Sequence, residues 1–151
     1  MGFFSKEEYS ETEALLLNIA RNPISGVVMT TYDDNVELLF STCDVNSEVE
    51  NFLTKLKFKT TWFVRQNHSE FFPYRVNSAS PLFKVKKSKL LLSMIEKRSS
   101  DYEDWKSWDK RIYHHFLFLS DSNYIDIIAE EFILEKASEL ENIKYKTLVI
   151  T

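Results

Sequence analysis

Side chains able to do chemistry are few in this sequence and far apart. The histidines are His68, His114 and His115, and the only thiol is Cys43. The apolar run Ile112–Leu119 predicts a central strand. Adjacent strand residues face opposite sides, so His114 and His115 cannot chelate one ion together. His68 lies in the polar stretch Gln66-Asn67-His68-Ser69-Glu70. A metal centre would need one strand histidine, His68 and a carboxylate to converge, whereas zinc sites ordinarily show closer ligand spacing. Two imidazoles with a lysine would suit general acid–base cleavage of RNA, again only if the fold gathers them. The simpler expectation is one histidine in the core and one exposed, with no catalytic set, no metal and no cofactor.

Cys43 closes an apolar run with no histidine beside it. Asp44 and a helix start at Ser47 follow, but a small hydrophobe suits the position better than an activated thiol. Carboxylates cluster at Asp33-Asp34 with Glu37, at Glu130-Glu131, and at Asp101, Glu103 and Asp104. Glycoside hydrolysis would need two of them across an aromatic-lined cleft. The first group fits turn chemistry, and Asp101 and Glu103 fit the first turn of a helix, where negative charge meets the dipole.

Composition removes further classes. In 151 residues there are only 2 glycines, Gly2 and Gly26, so no phosphate cradle, dinucleotide fingerprint or nucleophile elbow can be built. One cysteine forbids an internal disulfide and multi-cysteine zinc, which fits a reducing compartment. The opening Met1–Glu8 acquires acid too early for a secretory signal, and Lys6 breaks a myristoylation pattern. No apolar run reaches the roughly 18–20 residues of a membrane span. A soluble cytoplasmic protein is expected.

Capping boxes at Ser5…Glu8, Ser10…Glu13, Ser47…Glu50 and Ser100…Glu103 predict helix starts. The first two compete for one helix that Asn22-Pro23 ends. The third places Val49, Phe52, Leu53 and Leu56 on one stripe, and the fourth carries Tyr102, Trp105 and Trp108. A further helix is predicted over 123–140, with Ile125, Ile128, Ala129, Phe132 and Ile133 buried, and another over 89–97. Val27–Tyr32 and Val36–Cys43 read as a hairpin about Asp33-Asp34-Asn35. Further strands are predicted around 58–65, at Phe71–Val76 (an edge, because of Pro73), at Ile112–Leu119 and at Ile143–Ile150, with a loop over 77–81. The sum is a single α+β domain over 1–151: a mainly antiparallel sheet of about five to six strands with four to five packed helices.

Charge is uneven along the chain. The total is −4, yet residues 1–51 carry two bases against ten acids, and residues 52–98 carry eleven bases against two acids. Lys84, Lys86, Lys87 and Lys89 with Phe83 or Trp62 would suit backbone phosphate and base stacking, but the overall acidity (pI near 5.4) argues against nucleic acid. Lysines at a solvated strand edge are the plainer reading. On the predicted 123–140 helix, Glu131, Glu135 and Glu139 form one acidic ridge, at some cost to the helix.

The leading expectation is therefore a non-catalytic binding protein that docks a basic protein partner, with Asp33, Asp34 and Glu37, or Glu131, Glu135 and Glu139, at the contact. In length, acidity and early α-β-β-α order the chain resembles the immunity proteins that neutralise bacterial nuclease toxins. It is similar in the same way to small acidic chaperones of secreted effectors. The resemblance implies a toxin domain or an effector as the partner, the toxin inhibitor being favoured. A small hydrolase or RNase-like enzyme using His68, His115 and a nearby Lys or Glu is the other class.

Overall fold

The computed structural model describes residues 10–21, 26–44 and 52–150. Among them nine strands form one curled sheet. They are β1 (Ser10–Ala14), β2 (Ile19–Arg21), β3 (Val27–Tyr32), β4 (Asn35–Asp44), β5 (Phe52–His68), β6 (Tyr74–Arg75), β7 (Leu82–Val85), β8 (His114–Leu119) and β9 (Asn123–Lys136). Three α-helices accompany them: α1 (Lys89–Asp101), α2 (Trp105–Trp108) and α3 (Glu139–Tyr145). The strand order is β2-β4-β5-β9-β8-β7-β1-β6, with β3 also on β4. Every pair is antiparallel except β1–β6.

This corrects the expectation of five to six strands under four to five helices. The helix predicted over 123–140 is strand β9 up to Lys136. Residues 124–129 are buried without interruption, because both faces of the strand are covered. A strand buried on both sides reads as a continuous apolar run, and spacing alone cannot tell that from a buried helix. Of the expected stripe from Ser47, Phe52, Leu53 and Leu56 belong to β5, while Ser47, Val49 and Glu50 lie outside the described residues. The Ser10 helix start is strand β1, Ile19 and Ala20 belong to β2, and Ser5 lies outside the described residues. Ser100 sits in the last turn of α1 instead of opening a helix, and only the four residues of α2 follow.

The predicted terminal strand is replaced by α3 and a π-helical turn over Lys146–Ile150. Its cause is a capping box: Ser138 Oγ accepts the Glu141 amide at 3.2 Å, and Glu141 accepts the Ser138 amide at 2.9 Å. The β3–β4 hairpin forms as expected. Its two-residue loop puts Asp33 at φ 50°, a left-handed conformation that Asp tolerates. The 89–97 helix forms too, extended to Asp101.

The curl brings non-adjacent strands together. Phe40 of β4 meets Phe118 of β8 edge-on, with centroids 4.7 Å apart. Leu38, Leu56, Phe58, Leu82, Phe116, Ile125 and Ile127 complete this inner core. On the opposite face, Phe72, Tyr74 and Val76 cover Phe83, Leu117 and Tyr124, while Tyr145 of α3 covers Leu39 and Leu53. Phe58 is fully buried against Phe116 and Phe132. Phe58→Ala should therefore cost about 3–5 kcal/mol, seen as a lower urea midpoint with an unchanged slope.

Candidate functional site

The 17-residue strand β5 makes one decisive irregularity. Its register on β9 steps from Thr61↔Ala129 to Phe63↔Ile128, leaving Trp62 as the extra residue of a β-bulge. Thr60, just before it, has φ 53°, a strained conformation for a β-branched residue. Two bonds hold it there: Thr60 Oγ1 donates to Glu130 Oε2 at 3.0 Å, and the Thr61 amide donates to the Asp34 carbonyl at 2.7 Å. The hairpin tip is thus pinned beside the bulge. A small cavity of about 130 Å³ is lined by Asp33, Asp34, Thr61 and Trp62.

From the bulge, Trp62 stacks on Tyr113 at 3.7 Å and meets Trp105 edge-on at 6.4 Å. The guanidinium of Arg98, from α1, sits 4.8 Å from the Trp62 ring, 4.6 Å from Trp105, 4.8 Å from Trp108 and 5.9 Å from Tyr113. Buried Asp109 binds the same guanidinium at 2.7 Å and accepts from Tyr113 OH at 2.6 Å. Burial pushes the Asp109 carboxyl up, but bonds from Tyr113, Arg98 and the Arg111 amide outweigh it and hold it at about 2. Beyond this cage the α1–α2 corner is open: Tyr102 is 59% exposed and Trp108 57%, with rings 6.3 Å apart and nearly perpendicular. Asp101, Glu103 and Asp104 are exposed in this stretch, and so are Lys106 and Lys110, the Lys106 ammonium 5.7 Å from the Trp105 ring.

The acids proposed from sequence fall on separate elements. Asp33 and Asp34 form the exposed hairpin tip, and Glu37 accepts from Tyr32 OH at 3.1 Å and stands across from Lys57. Glu131 and Glu135 are on β9 and Glu139 opens α3, so the three do not share a helical ridge. Glu131 pairs in register with Lys59 and Glu135 with Lys55, whose ammonium is 3.1 Å from both Glu135 and Glu141. The basic stretch is divided as well. Lys84 is in β7, an inner strand and not an edge, Lys86 and Lys87 are in the turn, and Lys89 begins α1. Phe83 is completely buried and cannot stack a base.

The histidines are not brought to one site. His68 accepts the Glu70 amide at 3.1 Å on an exposed 3₁₀ turn, and His114 faces away from His115. Burial and nearby Lys84 push the His114 pKa down. His115, only 2% exposed, contacts Asp126 Oδ1 through Nε2 at 2.7 Å and Ser88 Oγ through Nδ1 at 2.6 Å. Tyr74 OH, Arg65 and Asn67 also donate to Asp126, at 2.5, 3.2 and 3.1 Å.

Serine, histidine and aspartate follow one another as in a hydrolytic relay. Here, however, Ser88 Oγ is the N-cap of α1, accepting Leu91 N–H at 3.0 Å, and the imidazole and carboxylate are enclosed. The chain ties α1, β5, β6, β8 and β9 together, with Ser88 half-buried at its end. Sequence reading singled out His115 but not Asp126, whose lone charge within an apolar run was the available signal. Cys43 is half-buried, its thiol 3.9 Å from the Ala20 carbonyl. Among the described residues no helix is long and apolar enough to cross a membrane. No protein-family model, no curated protein and no solved structure matches the chain.

Asp126→Ala should cost about 3 kcal/mol, since it leaves enclosed His115 Nε2 and Tyr74 OH without their acceptor. Burial also raises the Asp126 carboxyl, but the bonds from His115, Tyr74 and Arg65 win and hold it below its ordinary range. Asp109 therefore stabilises the fold fully above about pH 4, a contribution lost as pH falls towards 2, and the contribution of Asp126 is lost in the same acid direction. Urea midpoints at pH 7, 4 and 2.5 should show the fall in the native protein and a smaller one in Asp109→Asn.

Proposed function

We propose that this chain is a non-catalytic binding protein that docks a basic protein partner through an acidic and aromatic strip. We further propose that the partner is a nuclease-type toxin domain, which makes the chain a cytoplasmic immunity protein. The observation that carries the docking reading is the position of Trp62. It lines one cavity with Asp33 and Asp34 and stacks into the cluster that supports Trp108, so the hairpin tip and the α1–α2 corner adjoin one set of aromatic side chains.

Aromatic residues and arginine concentrate binding energy where the support is rigid, and a surrounding field of one sign speeds encounter with a partner of the other. Asp33 and Asp34 supply that field at the hairpin tip, whereas at the α1–α2 corner Asp101, Glu103 and Asp104 are balanced by Lys97, Lys106 and Lys110. Glu131 and Glu135 contribute less, because lysines of β5 stand opposite both. Turnover is the weaker reading because the imidazole best placed for it, His115, is enclosed and takes its bonds from the chain itself. The toxin reading rests on length and acidity together with a surface of this kind, which would cover a basic active site that binds RNA or DNA.

The test is capture of the partner by the whole protein, followed by binding kinetics. Asp33→Lys with Asp34→Lys should slow association about tenfold at low salt and flatten its ionic-strength dependence. Glu131→Lys with Glu135→Lys should change the rate far less. Trp108→Ala should speed dissociation, a loss of about 2 kcal/mol or more. A captured basic nuclease silenced by stoichiometric addition of this chain supports the full proposal. A secreted effector without nuclease activity shifts it to a chaperone. An acidic partner, or rates indifferent to both the hairpin and the Trp108 variants, overturns it.

A further inference from the structure

Strand β3 has one neighbour among the described residues. It pairs with β4, from Val27↔Phe40 to Tyr32↔Asn35. The Tyr32↔Asn35 pair closes a two-residue loop, so these residues exchange both backbone bonds, and bonded and unbonded pairs alternate from there. Val28, Thr30 and Tyr32 therefore turn their N–H and C=O groups to β4, while Val27, Met29 and Thr31 turn theirs outward. We infer that this outward edge pairs with β3 of a second copy, antiparallel about a two-fold axis at Met29, to make a symmetric dimer.

The outward set is its own complement. Rotation about Met29 puts Met29 opposite Met29 and Val27 opposite Thr31, so every outward N–H meets a carbonyl of the other copy. An open edge ordinarily carries a charge, a proline or a bulge that keeps a second chain away, and Val27-Val28-Met29-Thr30-Thr31-Tyr32 has none of these. Its valines and threonines are β-branched, the type that fits a pleated strand best. Both faces of β3 are met by the chain itself. Val27 and Met29 pack into the inner core, and Val28 packs under α3, which crosses from β5 to β3. Its Ala137 end bonds the Leu53 carbonyl at 3.3 Å, and Tyr145 OH bonds the Gly26 carbonyl at 2.8 Å. The open direction is sideways, along the line of the ladder hydrogen bonds.

Charges near the edge come from the elements around it. In this register the Asp33 residues of the two copies lie at opposite ends of the shared ladder, roughly 26 Å apart and beyond the reach of screened surface charge. Glu37 of β4 stands opposite Thr30 but accepts from Tyr32 OH and has Lys57 on its other side. Lys144 of α3 is closest to the axis, its ammonium 3.1 Å from Thr30 Oγ1 and exposed. The Thr30 residues of the two copies are diagonal neighbours, so the two ammoniums repel at low salt. Salt should therefore strengthen this dimer, opposite to its effect on the docking of a basic partner.

The experiment is sedimentation of the intact protein from about 10 µM to 1 mM, because so small an interface is weak. Hydrogen exchange of the Val27–Tyr32 amides is followed at both ends of that range. The dimer fraction should rise with concentration, and exchange in β3 should slow only where the dimer is populated. Thr31→Pro removes an outward N–H and no bond to β4, so it should raise the dissociation constant at least about tenfold while the monomer stays folded. Lys144→Gln should tighten the dimer at low salt. Exchange in the native protein decides the matter even if Thr31→Pro does not fold. A monomer at every concentration, or a dimer whose β3 amides exchange as fast as those of the monomer, overturns the inference. So does a dimer indifferent to a folded Thr31→Pro variant. Protection of β3 that needs a captured partner instead of higher concentration also overturns it, and gives this edge to that partner.

Discussion

The antiparallel ladder between β5 and β9 is the constraint on which the other features depend. It runs from Thr54↔Lys136 to His68↔Asn123, the longest pairing in the sheet, and is broken once at Trp62. A long ladder in twisted strands cannot stay flat, and a bulge adds bend and twist at one point. The curl lets Phe40 of β4 reach Phe118 of β8 across the inner core, although two strands separate them in the sheet. The bulge also resets which face the partner strand β9 turns inward. Leu56, Phe58 and Val64 keep to one set of alternate positions and all reach the inner core, while the inward positions of β9 change from Ile125, Ile127 and Ala129 to Phe132 across the bulge.

Polar contacts follow from the same irregularity. Thr60 is held in its strained conformation by Glu130, Glu130 binds Arg111 at 3.2 Å, and Arg111 meets the Asp109 that fixes Arg98. One chain of charges thus runs from the bulge to the cage beneath the α1–α2 corner. Strain in a β-branched residue persists only where the surroundings over-determine it, and here the surroundings are also what places the aromatic cluster. Asp126 does comparable work on the neighbouring face, joining β5, β6, β8 and β9 through Arg65, Tyr74 and His115. α1, none of whose residues is fully buried, depends on such polar anchors at both ends: Ser88 on His115 at its start, and Arg98 on Asp109 near its finish.

Local signals in the sequence were good where they were self-contained. The β3–β4 hairpin and α1 can both be read from a few adjacent residues, because turn geometry and caps act locally. The strand expected over Phe71–Val76, by contrast, shrinks to Tyr74–Arg75 behind a 3₁₀ turn at Ser69–Phe71, with Pro73 outside it. Long-range pairing was not legible. Ile125, Ile128, Ala129, Phe132 and Ile133 fit helical spacing, yet the segment is a strand, because its burial on two faces is decided by β5 and β8 and not by its own period. The abundance of β-branched residues in 125–133 was the one hint towards strand. For the candidate site, Tyr102, Trp105 and Trp108 were visible as a group. Trp62, Arg98, Tyr113 and Asp109 come from distant positions, and no spacing rule connects them.

Charge shows the same division between what is local and what the fold decides. A basic middle segment and acidic flanks look like opposed patches when written in order. In the sheet they interleave: Lys55, Lys57 and Lys59 of β5 stand opposite acids on β4 and β9. Cross-strand pairs of this kind neutralise each other locally and give the sheet its stability without a long-range field. Acids project a field only where the fold separates them from lysines, at tips and corners. The Asp33-Asp34 loop meets that condition beside the Trp62 bulge, whereas at the α1–α2 corner Lys97, Lys106 and Lys110 stand among Asp101, Glu103 and Asp104. Charge left unbalanced by its neighbours therefore sits where strand pairing ends, because inside the ladder the lysines of β5 face acids on either side.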